Sequence, residues 1–299
     1  MIDRACISLG EKCNLRCGYC HFKDRLSGNA QEFTIQELVA IIDNISSYCI
    51  SNKLKQFKVG IVGSGEPLFE YAKIKELINH VQRSGYNHFS FYTITNGTII
   101  NDEMIQFFYQ NKKRIAICFS LDGYEELHNI GREQFKKAYQ GIARYEAVFS
   151  KKPIVNCTVH KWTIHNSNTV RQFFTDEGFT DVTFSRLVDS NNESLTITEL
   201  EYSKFIQDCV GFPFSVRQLK AENSKKYDCT MYGKLCGVGK TNIFITKQGI
   251  YPCGRFYGNQ KYNYASFCSD LHEIEVKMGE MKELNAGECY YDKYVRGQK

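Results

Sequence analysis

The alternation of two hydrophobic periods limits the folds open to this chain more than any other feature. Between residues 5 and 187, short apolar runs of strand length alternate with longer stretches whose apolar residues recur at helical spacing. The first strand is read in Ala5, Cys6, Ile7, Ser8 and Leu9. A helix is expected from Thr34, whose spacing to Glu37 predicts a capping box, with Leu38, Ile41, Ile42 and Ile45 on one face. Further strands are expected at 57–62, 88–95, 114–120, 153–160 and 181–187, with helices between them at 71–83, 102–110, 134–149 and 168–177. Gly85 and Gly178 close two of those helices. Strands separated by helices pair in parallel through right-handed crossovers, and six such units are too few for a closed eight-stranded barrel. The expected fold is α/β, a partial (β/α)6 TIM-like barrel, whose chemistry would sit at the carboxyl ends of the strands.

Directly after the first strand comes Cys13-Asn14-Leu15-Arg16-Cys17-Gly18-Tyr19-Cys20, three cysteines at C-x-x-x-C-x-x-C spacing. Three thiolates can hold a four-iron cluster, leaving one iron without a protein ligand and open to a substrate or cofactor. A zinc site would close its shell with a fourth Cys or His, and His21 lies too near Cys20 in sequence to chelate comfortably beside it. After the second strand stands Gly63-Ser64-Gly65-Glu66-Pro67, after the third Thr95-Asn96-Gly97, and after the fourth Ser120-Leu121-Asp122-Gly123. Taken singly, these also read as a strand-to-helix turn, a helix cap at Thr95 or Asn96, and a turn at Asp122-Gly123. Their register on successive strands is what sets them apart.

Together these segments resemble the radical S-adenosylmethionine (SAM) superfamily. The resemblance implies that Cys13, Cys17 and Cys20 hold a [4Fe–4S] cluster whose open iron takes the amino and carboxylate groups of SAM. One electron then cleaves the sulfonium to a 5′-deoxyadenosyl radical, so the cofactor carries the hard chemistry. Tyr19 falls where the family places an aromatic near the adenine. Gly63, Gly65, Glu66 and Pro67 are similar to the segment that receives the SAM amino group. Thr95 and Asn96 match a further segment, and Ser120 and Asp122 match the one that hydrogen-bonds the ribose. Asn156, Arg186 and the His128/Arg132 pair are further matches, and an arginine suits bidentate capture of the SAM carboxylate.

Beyond residue 210 the alternation fades, aromatics multiply and five cysteines appear: Cys229, Cys236, Cys253, Cys268 and Cys289. The expected division is a barrel over 1–210 and a small second domain over 211–299. Residues 242–246, a Lys247-Gln248-Gly249 turn and 250–253 describe a hairpin with Cys236 before it and Cys253 at its end, so two thiolates face one site. This resembles the auxiliary-cluster domain of peptide-modifying radical SAM enzymes, called SPASM in its long form and Twitch in its short form. The Gly249-to-Cys253 interval is one residue short of the usual pattern, and the later multi-cysteine run is reduced to Cys289. The resemblance implies one auxiliary [4Fe–4S] cluster held by Cys229, Cys236, Cys253 and Cys289, with Cys268 competing for the fourth place. Some family members that invert a peptide α-carbon return a hydrogen atom from a thiol. Cys268, Cys289 or Cys229, whichever is no ligand, is the candidate donor, and Cys268 is taken as that residue. Cys6, Cys49, Cys118, Cys157 and Cys209 lie in apolar patterns and read as core.

The expected function is abstraction of a carbon-bound hydrogen from a precursor peptide, leading to epimerisation or to a thioether or carbon–carbon cross-link, with a flavodoxin- or ferredoxin-type reductant as partner. Alternatives are oxidation of a small-molecule alcohol and, in another class, a non-catalytic iron–sulfur or zinc protein. With Ala5 already in the first strand, no leader-binding domain is expected ahead of the barrel. Thirteen cysteines without an export signal favour metal chemistry over disulfides and a cytoplasmic protein. A net charge of +5 scattered along the chain gives no nucleic-acid footprint, and no segment approaches the ~20 apolar residues of a membrane span.

Overall fold

A computed structural model describes residues 1–22, 32–188, 192–220, 227 and 232–295. The chain runs β1 (Arg4–Ile7), α1 (Ile35–Ser51), β2 (Phe57–Ile61), α2 (Tyr71–Arg83), β3 (Phe89–Thr95), α3 (Asp102–Gln110), β4 (Ile115–Ser120) and α4 (Glu125–Gly131). It continues through α5 (Phe135–Phe149), β5 (Val155–Val159), α6 (Lys161–His165), α7 (Ser167–Asp176), β6 (Asp181–Arg186), α8 (Glu199–Gln207) and β7 (Ser215–Val216). The last elements are β8 (Asn242–Thr246), β9 (Gly249–Tyr251), α9 (Leu271–Gly279) and α10 (Tyr290–Tyr294). All six expected strands form, and each pairs in parallel with its predecessor. Thr34 caps α1 in a capping box with Glu37, as its spacing requires.

The six-strand expectation falls short at both edges. The sheet has nine strands in the order β7-β6-β5-β4-β3-β2-β1-β8-β9. β8 runs parallel to β1, with Arg4 opposite Asn242 and Ile7 opposite Ile245, and β9 folds back antiparallel on β8. The hairpin thus continues the barrel's sheet, because β1 would otherwise present an open row of backbone donors and acceptors. β8 suits that place, since Ile243, Phe244, Ile245 and Thr246 are all buried. The short helices α4 and α6, at seven and five residues, were invisible to a periodicity reading because neither completes two turns.

One layer of core lies between the sheet and its helices. Ala5, Ile7, Val59, Ile61, Ile115, Val155 and Val159 face the helices, meeting Leu38, Ile42, Leu77, Ile78, Phe108, Ile142 and Val170 in one continuous cluster. Each fully buried side chain of this size contributes about 1.5–3 kcal/mol. The other face of the sheet curls around the barrel interior, which holds a cavity of about 510 Å³ at the amino ends of the strands and another of about 440 Å³ towards their carboxyl ends. No helix among the described residues is long and apolar enough to cross a membrane.

Candidate functional site

The three-cysteine loop leaves β1 and is fastened on three sides. Lys12 accepts from Glu66 N at 2.9 Å, Gly18 N donates to Gly131 O at 2.8 Å, and His21 Nε2 meets Arg255 O at 3.1 Å. Gly65 explains the first contact, because a Cβ there would stand 2.5 Å from the Lys12 carbonyl oxygen and 2.8 Å from the Glu11 carbonyl carbon. Only glycine lets the loop after β2 lie this close to the residues leading into Cys13. Cys13, Cys17 and Cys20 are half-buried. Burial pushes the Cys17 thiol up to about 11, partly countered by Arg132, while Cys20 and Cys13 raise it further, so the three sulfurs feel one another. Cys13 is raised for the same first reason. Among the described residues no three His, Cys, Asp or Glu side chains converge as tightly as a single ion requires. A four-iron cluster takes its thiolates at separate corners, and an all-sulfur donor set suits it.

Glu66 is buried, as is Pro67 behind it. Its carboxylate accepts from Thr95 Oγ1 at 2.7 Å, Leu68 N at 3.1 Å and Asn96 N at 2.7 Å. Burial raises its pKa against the pull of these donors. The residues after β2 and β3 therefore form one hydrogen-bonded unit, extended by Asn96 Nδ2 donating to Asn14 Oδ1 at 3.0 Å, inside the cysteine loop. Gly63 packs on Ser8, a residue the sequence reading had left in the strand. Ser120 is buried at the end of β4.

Asp122, expected at the ribose, is bound into the protein itself. It is fully buried, and both oxygens are engaged: Oδ1 accepts from Thr158 N at 2.8 Å, and Oδ2 accepts from Arg132 Nε at 3.0 Å and from the Tyr19 hydroxyl. Burial opposes its ionisation, but the Arg132 guanidinium, with His128 and His160 nearby, holds its carboxyl below the usual range. Arg132 also donates to Thr158 Oγ1 at 3.2 Å and lies 5.4 Å from the centre of the Tyr19 ring. Asp122 thus braces the cysteine loop through Tyr19. His128 Nδ1 accepts from Asp122 N at 3.3 Å, and burial takes the imidazole down to about 4. His160, missed in the sequence because it lies within the β5 pattern, is fully buried 5.7 Å from the Tyr19 ring. Neither of its ring nitrogens has a hydrogen-bond partner.

Across the larger of the carboxyl-end openings stands the second cysteine group. Cys253 follows β9, Cys289 precedes α10, and Cys236 precedes β8. Burial pushes the Cys253 thiol up to about 12, eased by Arg255 and raised further by Cys289 and Cys236, so these three also sense one another. Cys229 lies outside the described residues. Cys289 is buried, whereas Cys268 is exposed beside Ser266, ahead of α9, whose neighbour Ser269 is tied to Asn44 on α1. Cys268 does not line this opening, and Cys289 and Cys236 are the cysteines that Cys253 senses. Of the five cysteines read as core, Cys49, Cys118, Cys157 and Cys209 are buried, while Cys6 is half-buried and reaches the cavity. That cavity, about 440 Å³, is walled by Tyr19, Cys20, His21 and Phe22 on one side and Cys253, Gly254 and Arg255 on the other, with Arg186 from β6 between. Asn156 lines the amino-end cavity instead: it pairs with Thr183, whereas Thr158 two residues on pairs with Ser185 and reaches the carboxyl-end cavity.

The radical SAM superfamily profile matches residues 7–165, more than half of the chain. The chain belongs to the radical SAM superfamily. Membership implies SAM binding and an iron–sulfur cluster. The radical SAM chain is 27% identical over 193 residues to a cysteine-type anaerobic sulfatase-maturating enzyme of Clostridium novyi, a match covering 60% of this chain and 50% of that enzyme. It is 30% identical over 136 residues to an S-adenosylmethionine-dependent nucleotide dehydratase of Psychrobacter lutiphocae, covering 42% and 43%. The chain thus spans about half the length of these relatives or less. Native anSMEcpe with bound AdoMet shares the fold at a TM-score of 0.74 and 19% identity, covering 91% of this chain and 79% of that one. Streptococcus suis SuiB bound to S-adenosylmethionine does so at 0.64 and 16%, covering 94% and 66%.

Proposed function

We propose that this radical SAM chain modifies a peptide, removing a carbon-bound hydrogen at a site between two cysteine groups. The observation that carries the reading is Cys253, with Cys236 and Cys289 close enough to sense it, in the wall of the same cavity as Cys20. Two of the solved structures sharing the fold are described with peptides bound: anSMEcpe with the Cp18Cys peptide and SuiB with the precursor peptide SuiA. The nucleotide-acting relative matches over 42% of the chain, so it speaks for less of the molecule.

Cys13, Cys17 and Cys20 would hold the first cluster, and Cys236, Cys253 and Cys289, joined by Cys229, a Twitch-like auxiliary cluster in the segment from 211 onward. When bound, the first cluster and SAM supply a 5′-deoxyadenosyl radical, with the electron taken from a flavodoxin- or ferredoxin-type donor. The protein's own residues fix geometry. The unit of Glu66, Thr95 and Asn96, with Gly63, Gly65 and Pro67, shapes the wall that receives the amino end of SAM, and Ser120 stands at the ribose side. Asp122 and Arg132 lock Tyr19 in place beside the cofactor. A peptide held in the cavity between the two cysteine groups would present there the carbon from which the hydrogen atom is removed. Epimerised, thioether and carbon–carbon products all begin from that step.

The test is anaerobic iron and sulfide quantification with Mössbauer spectroscopy on wild type and a Cys13→Ala/Cys17→Ala/Cys20→Ala variant. The variant is expected to keep about half of the wild-type iron, held by the auxiliary group. Iron-free variant protein would remove the second cluster and the peptide reading built on it.

A further inference from the structure

Arg186 stands at the end of β6, opposite Val159 of β5, with its side chain in the wall of the cavity between the two cysteine groups. Its Nε is buried and has no hydrogen-bond partner, and among the described residues the guanidinium makes no ion pair. A guanidinium presents five donors in a planar fork that matches a carboxylate, and leaving such donors buried and unmet is unfavourable. The described residues lining this cavity include no Asp or Glu to meet it. Glu66 and Asp122, the buried acids of the candidate site, are already engaged, Glu66 by Thr95, Leu68 and Asn96, and Asp122 by Thr158, Tyr19 and Arg132.

We propose that Arg186 recognises a carboxylate on the substrate, so that the peptide acted on presents an aspartyl or glutamyl side chain inside this cavity. The cavity wall runs from the cysteine loop through Thr158, Ser185 and Arg186 to Phe244, Cys253 and Arg255. Tyr19 and Gly63 of the SAM motifs line this wall while the residues after β3 and β4 do not, so cofactor and substrate share the cavity and the test below separates their carboxylates. The inference rests on the peptide reading above only for what bears the carboxylate.

The test is affinity selection of a randomised hexapeptide-amide library on reconstituted, SAM-bound enzyme under anaerobic conditions, scored by mass spectrometry. Acid-containing peptides should be enriched about tenfold over matched peptides carrying Asn and Gln. Arg186→Gln should abolish that preference, with iron content and thermal midpoint unchanged, and Arg186→Lys should keep part of it. Equal retention of acid and amide peptides by wild type, or an unchanged preference in Arg186→Gln, overturns the proposal. A second arm measures SAM and decarboxylated SAM. If Arg186→Gln weakens SAM about tenfold and leaves decarboxylated SAM alone, the carboxylate is the cofactor's and the proposal is overturned. If no peptide is retained, the peptide reading fails, and glutarate is the remaining probe. Thermal protection by glutarate in wild type but not in Arg186→Gln upholds carboxylate recognition; its absence ends it.

Discussion

Gly65 and His128 show how much of this site depends on residues that never touch a substrate. A methyl group at Gly65 would collide with backbone atoms of Glu11 and Lys12, which cannot rotate away as a side chain would. Gly65→Ala is expected to cost about 1–3 kcal/mol by overpacking and to lower iron bound per chain, measured by chemical unfolding and iron assay. His128 accepts a hydrogen bond at Nδ1, which only the neutral ring can do, and its pKa falls from 6.5 to about 4. A group whose folded pKa is depressed stabilises fully above its unfolded value and loses that contribution as pH falls. Stability should drop between pH 6.5 and 4, by up to about 3 kcal/mol from this residue. His128→Asn keeps an acceptor without titrating there, so its unfolding free energy should vary less over that range. The cysteine spacing was legible because metal ligands on one loop are local. The locking of Asp122 onto Thr158, Tyr19 and Arg132 was not, since its partners lie up to 103 residues away.

At the scale of elements, the sequence exposed what depends on period and hid what depends on edges. Strands β2 to β6 fell within two residues of their expected bounds, because each is a short, largely buried apolar run set off from helices of a different period. The hairpin of β8 and β9 was also visible from its turn, but not its place, which no local signal records. β8 covers the edge of β1, and Lys247 in the turn is tied to Glu37 on α1. A chain ended at residue 210 would uncover β1 from Arg4 to Ile7. Such a chain is expected to aggregate, eluting in the void volume on size exclusion where the full chain elutes as a discrete species.

For the whole molecule, the hairpin beside the second cysteine group belongs to the same sheet as the strands before it. Both cysteine groups hang from neighbouring strands, the first from β1 and the second around β8 and β9. His21 and Arg255 join the two across the cavity, so the distance between the groups is set by a hydrogen-bonded ladder and not by a linker. The pairing of β1 with β8 also has a cost during synthesis. β1 leaves the ribosome long before β8, whose Asn242 emerges only after residues 8–241 have been made. At about 5–20 residues per second, that edge waits on the order of ten seconds or more for its mate. The nascent chain must be shielded through that interval, which ties the yield of this protein to the chaperones around it as much as to its own stability.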